Sequence, residues 1–292
     1  MRVCFVGHIT RDRIWVEDVG ERLQPGGAAW YGSHAVSSMD VDVHVVTRLG
    51  EADREEVVGS LESLGISVDV YPSRHTTTFC NRYTRDDPEV RIQSLVSLAD
   101  PFQLAQLECS ADAFVFGPLN PADFAAEVVA SVAPRTLVAL DIQGLIRSSG
   151  TGKVGRSRHP ELVRFLGPST IVKASLEEAF VASGTGEVDA AIDFLLSKGV
   201  REVLITRGSE GSIVATSQAR IEVPAYSFGD ILDTTGCGDV YLAVYVVKRI
   251  QRCSIRHAAH CASAAAGLSA TALGPPHISK GDIEAAIRRQ TG

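Results

Sequence analysis

Short apolar runs alternate along the chain with longer stretches whose pattern is compatible with helices. The runs are rich in β-branched residues and are bounded by turn residues, as buried strands usually are. They lie at 3–6, 43–49, 113–116, 137–140, 171–173 and 203–206. This alternation predicts an α/β fold in which helices cover both faces of a mostly parallel sheet.

Two segments interrupt the alternation, at about 13–25 and 71–98. Both contain aromatic residues in extended patterns, and the second is also rich in threonine and has turn residues at 85–88. They predict additional strands, whether as a functional element or as an extra edge hairpin with no role in binding. A stretch rich in serine and glycine at 148–155 is expected to be a flexible connector.

Composition narrows the class of protein. A chain of 292 residues with 45% hydrophobic content can bury one sizeable core, so a single domain over 1–292 is expected. The formal net charge of −7 argues against a nucleic-acid partner. The apolar runs are too short for a membrane span or a signal peptide, which argues against a membrane partner. Six cysteines without paired spacing fit free thiols, so a cytoplasmic protein is expected.

The most informative segment has the sequence DTTGCGD at residues 233–239 and leads directly into an apolar stretch. A glycine-flanked turn that opens a helix directs unpaired backbone N–H groups and the positive helix dipole at one point, which suits an anion. Asp239 lies on that first turn, where a carboxylate can take a proton from a hydroxyl that attacks a phosphate. A plain helix N-terminus, with aspartates that complement the dipole, is the alternative.

This segment resembles the Asp-Thr-x-Gly-Ala-Gly-Asp signature of the ribokinase (PfkB) family of sugar and nucleoside kinases, with Cys237 where alanine is usual. Further motifs of that family follow in family order, at 7–12, 26–29, 47–53, 173–178 and 203–211. The resemblance covers almost the whole chain. It implies a three-layer ribokinase-like fold with a central sheet and a small β lid, formed by the segments at about 13–25 and 71–98.

The resemblance also implies catalytic roles. Asp239 would accept the proton of the substrate hydroxyl, and the backbone N–H groups of Gly236, Cys237 and Gly238 would form the anion hole. A thiol at a helix N-terminus is expected to have a lowered pKa, which would make Cys237 sensitive to oxidation or alkylation.

ATP and metal ions are the cofactors that the resemblance implies. The residues expected at the nucleotide are Lys173, Ser175, Thr206, Arg207, Gly208, Gly211 and Thr235. Glu178 would act through Mg²⁺ and its waters, and Asp233 would help to hold a monovalent cation such as K⁺. Three alternatives stay open: Lys173 pairs with phosphate or with Glu178, Arg207 is a surface charge, and Glu178 is a solvated helix-face carboxylate.

For the substrate, the resemblance implies a set of contacts from the first strand, the lid and a central strand end. These are Asp12, Gly26, Gly27, Tyr31, Arg82, Arg91, Gln143 and Arg147. Tyr31 stands where the family usually has asparagine, and the segment 140–147 resembles a variant seen in inositol kinases. A cyclitol such as myo-inositol, or a sugar, is therefore expected, with a homodimer through the lid as the implied assembly.

Three other functions compete with this one. A nucleoside kinase of the same family would use Trp30 and Tyr31 as walls for a base. A catalytically silent sugar sensor would fit the unusual Ser175 and Tyr31, although both Asp233 and Asp239 are retained. An NAD-binding oxidoreductase is disfavoured because no Gly-x-Gly-x-x-Gly turn follows the first strand.

Overall fold

The computed structural model describes residues 1–16, 20–83, 91–148 and 150–291. Within them, nine strands form one sheet in the order β14-β13-β12-β11-β9-β8-β1-β4-β5. Their bounds are β1 Arg2–Val6, β4 Asp42–Leu49, β5 Ser67–Pro72, β8 Ala113–Phe116, β9 Leu137–Asp141, β11 Ile171–Ser175, β12 Glu202–Thr206, β13 Ser212–Ala215 and β14 Arg220–Val223. The strands from β5 to β12 pair in parallel, and β13 and β14 pair antiparallel. All six apolar runs are parallel strands, so the predicted α/β architecture is confirmed.

Helices cover both faces of this sheet. They are α1 Ala28–Val36, α2 Glu51–Ser63, α3 Ala126–Ala130, α4 Leu162–Leu166, α5 Leu176–Ser183, α6 Val188–Ser197, α7 Cys237–Ile250, α8 Ile255–Ser269 and α9 Lys280–Thr291. The side chains of α1, α2, α7, α8 and α9 enter one apolar core, and those of α3 to α6 enter the other. Neighbouring strand residues alternate between the two cores, as the pleat requires. Across the described ranges, no helix is both long enough and apolar enough to cross a membrane.

A second, smaller sheet, here called the lid, has the strand order β10-β7-β6-β2-β3. Its strands are β2 Thr10–Val16, β3 Gly20–Gly26, β6 Thr78–Tyr83, β7 Arg91–Ser97 and β10 Gly152–Lys153.

Two boundaries of the lid differ from the sequence prediction. Residues 71–72 belong to β5 of the main sheet, so the second lid segment begins later than expected. The stretch at 148–155 is no mere connector, because β10 pairs with β7 and gives the lid a fifth strand. The turn expected at 85–88 lies outside the described residues.

The 3₁₀ turn Gln143–Ile146 directly follows β9 and packs against the loop after β8. A β-carbon added to Gly144 would lie 2.3 Å from the carbonyl oxygen of Pro118 and 2.7 Å from the amide nitrogen of Leu119. Only glycine therefore permits this close approach of two backbones. The approach fixes the position of the turn, and with it Gln143 and Arg147 at the end of the sheet.

We expect Gly144→Ala to lower the free energy of unfolding by about 1–3 kcal/mol, because the added methyl group must displace backbone rather than a mobile side chain. Gly59→Ala is the matched control: Gly59 lies on the exposed side of α2, where an added β-carbon would meet open space, so alanine there should stabilise by up to about 1 kcal/mol. Urea denaturation of both variants measures the difference. Equal stabilities would contradict the close packing of this turn.

Candidate active site

A cavity of about 1070 Å³ lies between the lid and the carboxyl ends of the central strands. Such ends are where ligands bind in open α/β sheets. Thirteen of the residues expected from the sequence line it: Asp12, Gly27, Tyr31, Gln143, Arg147, Lys173, Ser175, Glu178, Asp233, Thr235, Gly236, Gly238 and Asp239. We call this space the acceptor cavity.

Helix α7 begins at the floor of the acceptor cavity. Its N-cap, Gly236, has the left-handed conformation with φ 78°, and a β-carbon there would lie 2.3 Å from Cγ of Tyr31. Both the backbone angle and the aromatic ring therefore require glycine. The Oδ1 atom of Asp233 accepts a hydrogen bond from the amide of Thr235 at 2.8 Å and so shapes the turn. The result is an open helix N-terminus that faces the cavity.

Cys237 departs from its expected role. Its amide donates to the carbonyl oxygen of Thr234 at 3.3 Å, and its side chain faces away from the acceptor cavity. Burial raises the pKa of the Cys237 thiol to about 11. The expected lowering by the helix N-terminus was wrong, because the loss of hydration outweighs the dipole.

A buried ion pair lies beside this helix start. Nζ of Lys173, in β11, donates to Oδ2 of Asp141, at the end of β9, over 2.8 Å. Both side chains are almost fully buried, at 5% and 3% exposure. Burial opposes the charge of Lys173, but the carboxylates around it, first that of Asp141, raise its pKa above the usual value. The sequence alternatives for Lys173 had not included Asp141 as partner.

Asp239 is the third residue of α7 and lines the acceptor cavity. Burial, followed by the negative charge of Asp141, raises the pKa of Asp239 to about 7, while Lys173 and Arg147 oppose the rise. A carboxylate with such a pKa is ionised above neutrality and still basic enough to take a proton from a hydroxyl. Its position and its pKa both suit a general base.

Glu178 is held at the first turn of α5 by a reciprocal cap. Its Oε2 accepts the amide of Ser175 at 2.7 Å, and its own amide donates to Oγ of Ser175 at 3.2 Å. Glu178 is 9% exposed and lines the acceptor cavity, so it is not a solvated surface carboxylate. Ser175 thus fixes the direction of the carboxylate.

The inner face of the lid forms the opposite wall. Asp12 and Ile14 of β2, Arg22 of β3 and Phe79 of β6 all line the cavity. Gly26 lies against Asp12: a β-carbon there would be 2.7 Å from Oδ2 of the carboxylate. The absence of a side chain at Gly26 therefore leaves room for the carboxylate.

One of the expected lid contacts faces away from this wall. Arg82 is exposed on the outer face of β6, where its guanidinium lies 5.5 Å from the ring centre of Trp15. Side chains alternate between the two faces of a strand. Because Phe79 points inward, Arg82, three positions later, points outward, so the prediction that Arg82 binds the substrate is wrong. The side chain of Arg91 lies outside what the structure describes.

Arg147 is fixed at the back of the acceptor cavity. Its Nη1 donates to the carbonyl oxygen of Leu119 at 3.1 Å and its Nη2 to Oε1 of Gln93 at 3.4 Å. Its guanidinium also lies 5.2 Å from the ring centre of Phe79. Sequence reasoning missed Arg22, Phe79 and Gln93. The alternation of inward and outward side chains along the lid strands is the sequence signal that could have identified them.

Tyr31 lies under the helix start and is almost completely buried, yet its hydroxyl has no hydrogen-bond partner among the described residues. Burial, with a further contribution from the nearby carboxylates of Asp233 and Asp12, raises its pKa. It is therefore a neutral donor that faces the cavity. Trp30, although adjacent in sequence, does not line the acceptor cavity.

A second cavity of about 390 Å³, here called the donor cavity, lies on the other side of the α7 start. Thr206, Gly208 and Gly211 line it, as expected for the nucleotide side. Arg207 does not line this cavity. Its Nη2 pairs with Glu222 at 3.2 Å, which favours the interpretation of Arg207 as a surface charge.

The remaining walls of the donor cavity are mainly apolar. They include Tyr226, Phe228, Ala266, Gly267 and Ala270. A β-carbon on Gly267 would lie 2.2 Å from the carbonyl oxygen of Tyr226, so glycine lets α8 approach this segment. The small residues of α8 therefore both line a cavity and permit close packing. The aromatic pair in the segment before α7 was missed.

The two cavities meet at the start of α7, because Ile231, Thr234 and Gly238 line both of them. A group held in one cavity and a group held in the other would therefore approach each other beside Asp239. This arrangement suits the transfer of an anionic group from one ligand to the next.

Comparisons with known proteins agree with this geometry. The pfkB family carbohydrate kinase model matches residues 2–279. D-tagatose-1-phosphate kinase of Bacillus licheniformis is 38% identical over 88 residues, which is 30% of this chain and only 29% of that protein. A sulfate complex of a pyrophosphate-dependent kinase in the ribokinase family is 26% identical with a TM-score of 0.86, covering 97% of this chain and 99% of that one.

A pyrophosphate-dependent kinase of the ribokinase family, complexed with a pyrophosphate analog and myo-inositol, is 25% identical with a TM-score of 0.85 over 97% of this chain and 99% of that one. The family match therefore extends over nearly the whole chain, and the lid, the sheet and the helix start agree with it. This chain belongs to the pfkB family of carbohydrate kinases, which are phosphotransferases that act on hydroxyl groups of sugars or nucleosides.

Proposed function

We propose that this protein transfers the terminal phosphoryl group of ATP to a hydroxyl of a small polyhydroxy compound, either a cyclitol such as myo-inositol or a sugar. The observation that carries this proposal is the position of Asp239. Its carboxylate, with a pKa raised by burial, lies where the donor and acceptor cavities meet. A proton acceptor is needed at that point, because the attacking hydroxyl loses its proton as the bond to phosphorus forms.

The chain's own groups divide the work of transfer. Asp239 takes the proton of the acceptor hydroxyl. The first-turn amides of α7 that follow Cys237, with that of Gly238 at the junction, stabilise the negative charge on the phosphoryl oxygens. The ammonium of Lys173 lies next to Gly238, since a β-carbon there would be 2.7 Å from its Nζ. Its positive charge favours the ionised form of Asp239 and adds to the attraction for phosphate.

Glu178 is the residue that fits a magnesium ion. It offers a carboxylate, which is the hard oxygen ligand that Mg²⁺ prefers, and the cap to Ser175 holds that carboxylate against the cavity. When bound, Mg²⁺ would neutralise charge on the phosphates of the donor. Asp233 is proposed to help hold a monovalent cation such as K⁺, but its Oδ1 already accepts the Thr235 amide and leaves mainly the second oxygen.

ATP is favoured as the donor by the walls of the donor cavity. A space of about 390 Å³ between Tyr226, Phe228 and the small residues of α8 suits a flat apolar base. Pyrophosphate is the second candidate, because the two similar solved structures described above are of pyrophosphate-dependent kinases. Pyrophosphate would leave these apolar walls without a ligand.

A polyol is favoured as the acceptor by the polar groups of the acceptor cavity. Asp12 and Gln143 offer hydrogen-bond acceptors, while the Tyr31 hydroxyl offers a donor that has no partner among the described residues. A ring of hydroxyls would satisfy such groups, and a ligand without them would leave buried polar atoms unpaired. The likeness to a kinase complexed with myo-inositol points the same way. The nucleoside alternative is weakened because Trp30 does not line the cavity, and the proposed homodimer through the lid stays a prediction.

A two-way panel tests this function. Purified protein is assayed for transfer from ATP or from pyrophosphate to inositols, pentoses, hexoses, hexose phosphates and nucleosides. The proposal expects the highest kcat/KM with ATP and a cyclitol or an unphosphorylated sugar. A preference for nucleosides would show that the acceptor is a nucleoside and not a polyol. A preference for pyrophosphate would show that pyrophosphate, not ATP, is the donor. Binding without any transfer would favour the sensor alternative.

We expect Asp239→Asn to lower kcat by roughly two to four orders of magnitude, because the amide cannot accept the proton. The affinity for ATP, measured by calorimetry, should change little, since the anion site is formed by backbone amides. Asp230→Asn is the control: it removes an exposed carboxylate that lines neither cavity, so its kcat should equal that of the unmodified protein. Near-normal turnover in Asp239→Asn would refute the assignment of the base.

Glu178→Gln should raise the Mg²⁺ concentration needed for half-maximal activity by about tenfold or more, because the substitution removes an anionic oxygen ligand. Its neighbour provides the control. Glu177 is 63% exposed and pairs with Arg156, so Glu177→Gln should leave the Mg²⁺ titration unchanged. If both variants titrate alike, Glu178 has only its capping role.

Asp12→Ala should weaken polyol binding by roughly 10²-fold or more while ATP affinity stays constant, because it removes a buried acceptor for hydroxyls. Arg13→Ala alters the next residue of the same strand, whose side chain is exposed, and should leave both affinities unchanged. Calorimetry with each ligand separately measures the effect. Equal losses for the polyol and for ATP would indicate damage to the fold instead of a lost contact.

A further inference from the structure

A second group of reactive side chains lies away from both cavities, on the face of the main sheet that α3 to α6 cover. Cys4 of β1 is directly opposite His44 of β4, and His44 is directly opposite Ser67 of β5. Residues in register on neighbouring parallel strands point to the same face. The pairing of three strands therefore aligns a thiol, an imidazole and a hydroxyl in one row.

The loop before β8 adds a second thiol to this row. Sγ of Cys109 lies 3.5 Å from Sγ of Cys4, and one ligand atom each from Cys4, His44 and Cys109 lie within 4.8 Å of one another. Cys4 is fully buried, His44 is 7% exposed and Cys109 is half-buried. In the part of the chain that the structure describes, this is the one group of three such residues close enough to share an ion.

The separation of the two sulfurs, 3.5 Å, is close to that in a tetrahedral zinc site. Two thiolates on one zinc ion, each at about 2.3 Å, are separated by about 3.8 Å. Both ring nitrogens of His44 make hydrogen bonds, Nδ1 with Ser67 Oγ at 2.8 Å and Nε2 with Asp69 Oδ2 at 3.0 Å. Zinc would replace one of these bonds, and the other would orient the ring. Fixed imidazoles of this kind, held by a carboxylate, are typical of metal sites.

We propose that Cys4, His44 and Cys109 bind a zinc ion, with the fourth position taken by water. Soft thiolates with an imidazole select Zn²⁺ and similar ions over Mg²⁺, which needs hard oxygen ligands. The site would connect β1, β4 and the loop before β8, so its role would be to stabilise the sheet. It is separate from the magnesium ligand of the transfer reaction.

The binding step balances with what the site supplies. Zn²⁺ would form a bond to each sulfur, any proton on either thiol would pass to solvent, and no oxidant or reductant is required.

The test uses the full-length protein under reducing conditions with excess Mg²⁺, which occupies the carboxylates of the acceptor cavity. After equilibration with ZnSO₄ and removal of free ion by gel filtration, we expect about one zinc per chain by mass spectrometry. With Co²⁺ in place of zinc, a thiolate-to-cobalt charge-transfer band should appear in the near-ultraviolet spectrum. The midpoint of thermal unfolding should rise with zinc.

Cys109→Ser should lose the zinc and the cobalt band while it keeps kinase activity, which shows that the variant is folded. Cys253→Ser, which removes another half-buried thiol, should keep both signals. The proposal is overturned if the unmodified protein retains no zinc, if Cys109→Ser retains it, or if Cys253→Ser loses it. If the kinase assay fails with every substrate, the zinc count per chain is unaffected, so the two proposals fail separately. In that case circular dichroism, instead of kinase activity, shows whether Cys109→Ser is folded.

Discussion

The ion pair between Lys173 and Asp141 is the interaction on which the rest of the site depends. It joins β9 and β11 in a place where both side chains are almost fully buried. Removing one partner from such a pair typically costs about 3–5 kcal/mol, since the other charge stays buried. The pair also sets the electrostatics of the site: the charge of Asp141 raises the pKa of Asp239, and that of Lys173 lowers it.

The helix start and the lid complete the site around this pair. Gly236 packs on the ring of Tyr31, so the turn that opens α7 is held by α1 as well as by its own backbone. The inner face of the lid brings Asp12 to the opposite wall. Two ligands would therefore meet at a fixed point beside one base. Positioning of this kind, together with fixed dipoles, supplies most of the catalysis in phosphoryl transfer.

The fold was largely predictable from the sequence, because buried parallel strands give continuous apolar runs and the turn before α7 has a specific glycine pattern. The contacts between side chains were less predictable. The partner of Lys173 lies 32 residues earlier and is selected by strand order. The outward direction of Arg82 depends on the register of the lid. The raised pKa of Cys237 reflects burial, and the meeting of Cys4 with a cysteine 105 residues later is set by the sheet.

The pH dependence of kcat/KM tests the central claim most directly, because it reports the ionisation of the free enzyme. Since a base must be ionised to act, activity should fall as the pH decreases through the raised pKa of Asp239, about 7. Asp141→Asn removes the negative charge that raises this pKa, so the acidic limb should move to lower pH. Arg147→Gln removes a positive charge that lowers it, so the limb should move to higher pH. The account is contradicted if neither variant moves the acidic limb of the pH profile, or if both variants move it in the same direction.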